Sequence, residues 1–304
     1  VALHALRFPG SGINLLFMVI YNPKDWWRMI FAFHSSDTFR MMLPGMLGIA
    51  VFTGFVAYLE NDILGVTFRN TTAIHTMVGF VLSMLLVFRT NTAYERWWEG
   101  RKAWGSFVNQ SRNLSLKIST LPIDREKKYL FGSLIINYVV AVKNHLRDTS
   151  EIQSLLLVGD YGREWYGEAV HLPNQVMKAI YTEIQKLVTD GAISGYQLLY
   201  LNEELRSFTE NTGICERIRK TPIPYSYSLY LKKIIFIYVF TMPIGFVREF
   251  GYWSMFIVAM IFYVFGSIEI LAEEIEDPFG NDANDLPTDQ ICETIRANVN
   301  EILG

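Results

Sequence analysis

Cysteine is nearly absent: Cys215 and Cys292 are the only two in 304 residues. They are far apart and have no CxxC or Cys/His ligand spacing, so neither a zinc site nor a disulfide framework is implied, and a reducing compartment is the plain reading. Net charge is nearly absent too, with 27 basic against 30 acidic side chains, so the electrostatic footprint of a nucleic-acid binder is missing and nucleic acid is not an expected partner. Catalytic motifs are missing as well. The histidines His4, His34, His75, His145 and His171 fall in no HExxH or comparable ligand spacing, and no GxSxG, P-loop or GxGxxG cradle occurs. An enzyme reading therefore lacks a nucleus. With no internal repeat, low-complexity tract or Pro/Gly-rich linker to divide it, the chain reads as one interwoven domain.

What the sequence does contain is long uncharged runs, in a composition 51% apolar. Met41 to Tyr58 carries no charge, and as helix it spans roughly 27 Å, near the hydrocarbon thickness of a bilayer. Asn70 to Phe88 is also uncharged but contains Thr71, Thr72, His75, Thr76 and Ser83, which predicts one face turned to protein or water. Ile234 to Val247 is too short to cross alone, so Lys232 and Lys233 must snorkel to a surface. Arg248 and Glu249 mark a turn before Phe250 to Ile268, anchored by Tyr252 and Trp253. The expected spans are thus 41–58, 70–88, 232–247 and 250–268, the last two as a hairpin. Tyr129 to Val142 is another apolar run, but at its length a buried helix of a water-exposed body is the better reading. The outer loops then hold only Arg69 and Arg248, which places both termini on the cytoplasmic side of an inner membrane.

Residues 1–17 read as an irregular extension. Trp26, Trp27, Arg28, Ile30 and Phe31 suit either an interfacial helix or an ordinary amphipathic one. Residues 89–224 are too long for a structureless loop, and helical periodicity near 91–118, 125–147, 173–189 and 193–217 predicts an α-helical cytosolic region, followed after the last span by a C-terminal segment, 269–304. The fold class is all-α and membrane-integral.

On the second span, Phe80, Met84 and Phe88 recur every four residues and share one helical stripe, with Gly79 and Ser83 beside it to allow close helix approach. Such a stripe is either core packing or a ring of apolar side chains that gates by dewetting. His75 is expected to pack or hydrogen-bond near the outer surface rather than titrate in a pore. After the fourth span come Glu269, Glu273, Glu274, Glu276, Asp277, Asp282 and Asp285 around a Pro278-Phe279-Gly280 turn. This is either a solvated helix end or a set of hard oxygen ligands of the kind calcium takes, though without EF-hand spacing.

Three separated stretches carry a family resemblance: FRTNTAYERWWEGRKAWG (Phe88 to Gly105), ERIRKTPIPYSY (Glu216 to Tyr227) and AEEIEDPFGNDANDLP (Ala272 to Pro287). From Met18 onward the chain resembles the bestrophin family, specifically its bacterial branch. The resemblance implies a homopentamer in a lipid bilayer, with five second spans around an axis, a helical cytosolic vestibule and a neck ringed by Phe80, Met84 and Phe88. A second cytosolic aperture maps to Tyr196, bulkier than the aliphatic residue expected there. The family's vertebrate calcium clasp maps to backbone oxygens of Glu274 and Asp277 with the carboxylates of Asp282 and Asp285. The vertebrate run of consecutive aspartates is interrupted here by Ala283 and Asn284.

The expected function is a pentameric channel passing small monovalent ions, with no cofactor required and calcium as the one candidate ligand. Vertebrate bestrophins resemble chloride channels and a bacterial relative is associated with sodium-type conduction, so the resemblance leaves the sign of the ion open. A non-conducting membrane scaffold, with the stripe as tight core contact, is the alternative. A membrane enzyme would need perturbed titratable groups near Glu273 to Asp285.

Overall fold

A computed structural model describes residues 37–64, 72–149 and 151–304; the candidate interfacial helix around Trp26 and the irregular start lie outside them. Among the described residues there is no β-strand beyond an isolated bridge between Val158 and Tyr161. The helices are α1 (Asp37–Tyr58), α2 (Thr72–Ser119), α3 (Arg125–Leu146), α4 (Arg163–Gly167), α5 (Leu172–Thr189), α6 (Gly195–Lys220), α7 (Tyr225–Thr241), α8 (Pro243–Phe250), α9 (Ser254–Glu276) and α10 (Thr288–Leu303). Despite the missing linker, the chain divides into two compact units, each assembled from separated stretches. Of the described residues the first holds 37–64, 72–96 and 222–276, and the second holds the remainder.

The first unit contains the uncharged runs. Three helical stretches are long and apolar enough to cross a membrane: Thr38–Ile63, Thr72–Ser119 and Tyr225–Glu276. The third is broken. Pro243 has no amide hydrogen to continue α7, so it opens α8 instead, and Gly251, at φ 54°, ends α8 in the left-handed region that favours glycine. The expected hairpin is thus built of α7, short α8, a 3₁₀ turn over Gly251–Trp253, and α9.

Contacts fix the directions of these helices. Gly45 faces Phe262 and Gly54 faces Met255, so α1 and α9 are antiparallel. Gly79 faces Tyr238 and the Tyr227 hydroxyl donates to the Leu85 carbonyl at 3.3 Å, so α2 and α7 are antiparallel. Lys232 meets Glu273 while the Tyr238 ring meets Phe265, which makes α7 and α9 antiparallel as well. The snorkelling lysine therefore has a partner: Nζ of Lys232 lies 2.8 Å from Glu273.

The second unit closes around α3. Asp124 caps that helix by accepting from the Lys127 amide at 2.7 Å, and residues 131–142 are buried without interruption, covered by α5 and α10 among others. The apolar run 129–142 therefore lies inside a helical core, where Trp104, Phe107, Phe131, Tyr138 and Phe208 pack together. Two polar groups inside that core are paired: the Tyr138 hydroxyl lies 2.8 Å from that of Thr212, and Asn137 exchanges two 2.7 Å hydrogen bonds with the backbone of Leu156. Cys215 and Cys292 are free and buried, and burial pushes both thiols up to about 12, so they are chemically quiet.

Candidate functional site

Helix α2 presents two different faces along its first half. His75, Gly79, Leu82, Leu86, Arg89 and Ala93 are buried, in alternating steps of four and three that define one seam against the unit's own helices. Gly79 is required there, because a Cβ would meet the Tyr238 hydroxyl at 2.5 Å. His75 packs as expected: its Nε2 lies 3.2 Å from the Thr241 hydroxyl and its ring sits beside Tyr238 and Phe246. The Ser83 hydroxyl donates back to the Gly79 carbonyl at 2.8 Å.

Phe80, Met84 and Phe88 occupy the other face and are 66%, 46% and 59% exposed in the single chain. They are not core contacts within one subunit. The first charge after them, Arg89, turns the opposite way and is 1% exposed. Its Nη2 lies 2.6 Å from a Glu276 oxygen and its Nε 3.8 Å from Glu269. Glu276 is committed further: its carboxylate accepts from the Ile223 amide at 2.6 Å, and its carbonyl accepts from Arg96 at 3.1 Å. The charges that follow the apolar stripe are thus absorbed inside the first unit, and the stripe itself carries none.

The sequence leaves Glu269 and Glu276 either on a solvated helix end or among oxygen ligands, and puts Arg89 just past the end of a span. The four-three spacing of small or apolar residues from Gly79 to Ala93, with Arg89 in register, was the signal available. A lone arginine on such a seam demands a buried carboxylate partner.

Tyr196 stands in the first turn of α6, just after the Ser194 cap, and is 87% exposed on the second unit. The candidate clasp residues fall on both sides of the boundary between the units at 276/277. Glu274 lies in the first unit, on the last turns of α9, while Asp277, Asp282 and Asp285 belong to the second. Asp285 is buried and turned inward: its Oδ2 accepts from the Asp282 amide at 2.6 Å, and its Oδ1 has no partner among the described residues. Desolvation, with the Asp282 and Asp277 charges adding to it, pushes the Asp285 carboxyl up to about 7. Asp277 and Asp282 are exposed.

The turn is held by its surroundings. The Trp97 indole donates to the Asn284 carbonyl at 3.0 Å, and Arg147 donates to the Phe279 carbonyl at 3.3 Å, to Asp289 at 2.7 Å and to Thr288 at 2.9 Å. For calcium the turn offers one orphaned buried carboxylate oxygen, on Asp285, and two exposed carboxylates, Asp277 and Asp282. That is part of the six to eight oxygens calcium takes.

The family model for bacterial and fungal bestrophins matches residues 18–301. A protein of Nostoc sp. named as a voltage-dependent anion channel-forming protein is 40% identical over 232 residues, covering 74% of this chain and 75% of its own. One of the same name from Escherichia coli K12 is 30% identical, covering 93% of each. The crystal structure of a bacterial bestrophin homologue from Klebsiella pneumoniae matches at TM-score 0.78 and 26% identity, over 85% of this chain and 97% of that one. The chain belongs to the bacterial and fungal bestrophin family.

Proposed function

We propose that five copies of this chain surround a central pore lined by α2, that Phe80, Met84 and Phe88 form its hydrophobic neck, and that the assembly conducts small monovalent anions passively across the inner membrane. The observation that carries this reading is the two-faced α2: a buried seam toward its own subunit, and an apolar, uncharged, exposed stripe opposite it. Four passes per subunit are part of this reading, and the antiparallel contacts support it, with α1 and α7 running one way and α2 and α9 the other. Both ends of the chain then lie on the cytoplasmic side.

Rings of such side chains repel water and set the barrier to flow. One feature favours anions: relatives at 30–40% identity are named as anion channel-forming proteins. Phenyl rings turned edge-on to the axis would add the positive rim of their quadrupole. Tyr196 is assigned to a second constriction on the cytosolic side. Conduction requires no cofactor in this scheme; calcium is a stabilising ligand of the turn around Asp282 and Asp285, checked by whether it raises the melting temperature of wild type but not of Asp285→Asn.

Reconstitution into liposomes under a potassium chloride gradient tests the main reading. The expected reversal potential lies toward that of chloride, and alanine at all three neck positions raises flux. A potential on the cation side overturns the anion assignment. Absence of flux from both proteins supports a non-conducting scaffold instead.

A further inference from the structure

His145, His171 and Glu216 come from three separate elements of the second unit: the last turn of α3, the N-cap of α5 and the C-terminal part of α6. One oxygen of Glu216 lies 2.6 Å from Nε2 of His171 and 3.1 Å from Nε2 of His145. The two imidazole rings are 4.4 Å apart between centroids, and the three ligand atoms all fall within 4.8 Å of one another. All three side chains remain about one-quarter exposed, so an ion can enter from water. None of them takes part in the proposed pore.

We propose that His145, His171 and Glu216 form a binding site for a divalent transition metal of the zinc class, with water completing the coordination. Two neutral imidazoles and one carboxylate are a donor set zinc uses, and a tetrahedral ion about 2 Å from each ligand separates the ligands by about 3.3 Å. The two separations from Glu216, 2.6 and 3.1 Å, are shorter than that value, so the ligands need only open slightly around an ion, and all three ligand atoms already lie within 4.8 Å of one another. The negative ends of α3 and α6 face the cluster against the single positive end of α5, which favours a cation.

The surrounding charges are compatible. Arg219 is occupied by Asp148 and by the His145 carbonyl. Lys220, 3.8 Å from Glu216, is largely exposed and can swing into water. Burial and the neighbouring His171 hold His145 below its ordinary value, so its lone pair is available at neutral pH. Burial alone would raise Glu216, but the His171 hydrogen bond and the nearby positive charges outweigh it and keep the carboxylate ionised.

Ligation has a specific consequence for α5. Nδ1 of His171 accepts from the Asn174 amide at 3.2 Å, which puts its ring proton on Nε2. Binding a metal at Nε2 moves a proton to Nδ1 and releases that amide. The ion therefore ties three helices together while loosening the first turn of one.

The test is calorimetric titration of zinc into the tag-free full chain in detergent, after treatment with a chelator. The expected result is one ion per subunit, weakened at least about tenfold by each of His145→Ala, His171→Asn and Glu216→Gln. Asparagine is a good helix cap, so His171→Asn keeps the start of α5 while removing the imidazole. Cobalt in place of zinc should give the intense visible bands of a tetrahedral site, lost in the same variants. No binding by wild type, or equal binding by all three variants when each melts as wild type does, overturns the proposal.

Discussion

The two units bury their apolar residues in opposite senses. In the second, Trp104, Phe107, Phe131 and Phe208 are fully buried, and α3 hides twelve consecutive residues, Phe131 to Val142. In the first, Phe80, Phe236, Trp253 and Phe256 are all more than half exposed, and in an 18-residue apolar part of each membrane-length stretch no more than 28% of the residues are buried. Apart from the α2 stripe that holds Phe80, that surface is not one built for bulk water, since contiguous apolar patches of this kind are rare on soluble monomers. The difference teaches that an uncharged run does not by itself mark a span. The run in α3 is bounded by Lys127 and Lys128 before it and Lys143 after it, and α5, α6 and α10 pack against it.

The sharpest way to break this comparison is to truncate the same residue type in each unit. Phe107→Ala, in the core of the second unit, is expected to cost about 3–5 kcal/mol, read as a large fall in melting temperature in detergent. Phe80→Ala should cost under about 1 kcal/mol in the same assay, because an exposed side chain leaves no cavity. Equal losses would erase the distinction between the faces.

Arg89→Ala is the corresponding break in the first unit. It leaves Glu269 and Glu276 without their cation, and removing one partner of such a buried cluster costs about 3–5 kcal/mol. Adding Glu269→Gln to Arg89→Ala should recover part of the loss, which a purely steric role for Arg89 would not produce.

Much of this was legible in the sequence. The uncharged runs at 41–58 and 250–268 are α1 and most of α9, and the periodic stretches at 125–147, 173–189 and 193–217 are α3, α5 and α6 to within a few residues. Helical period and run length are local properties, and local properties survive folding. What was not legible depends on distant partners. The second span and the stretch from 91 are one continuous helix of 48 residues, because Arg89, which looks like a membrane boundary, is neutralised by carboxylates some 180 positions away. The third span was expected to run to 247, but α7 ends at Thr241 and Pro243 starts a new helix. The histidines show no ligand spacing, yet folding brings His145 and His171 to one oxygen of Glu216.

Two smaller effects sharpen the picture. Gly79→Ala is expected to cost about 1–3 kcal/mol by forcing α2 away from Tyr238, with Tyr238→Phe relieving part of it. In the second unit, burial alone would raise the Asp289 carboxyl. Hydrogen bonds from Lys143 and Arg147 outweigh that and hold it below its ordinary 3.8. Its contribution is therefore present above that value and lost as pH falls through the lower folded value. Because Asp289 is 37% exposed, screening reduces it to about 1 kcal/mol, and Asp289→Asn should flatten the acid limb of the melting-temperature profile by that amount.

The central claim is that the exposed face of α2 lines water rather than lipid. Cysteine accessibility tests it most directly, since Cys215 and Cys292 are buried and unreactive and leave a clean background. Met84→Cys and Phe256→Cys, both exposed in the single chain, are compared in conducting liposomes with a charged, membrane-impermeant thiosulfonate. The account predicts that the reagent blocks flux through Met84→Cys and leaves Phe256→Cys unchanged. An unmodified, uninhibited Met84→Cys channel would contradict it.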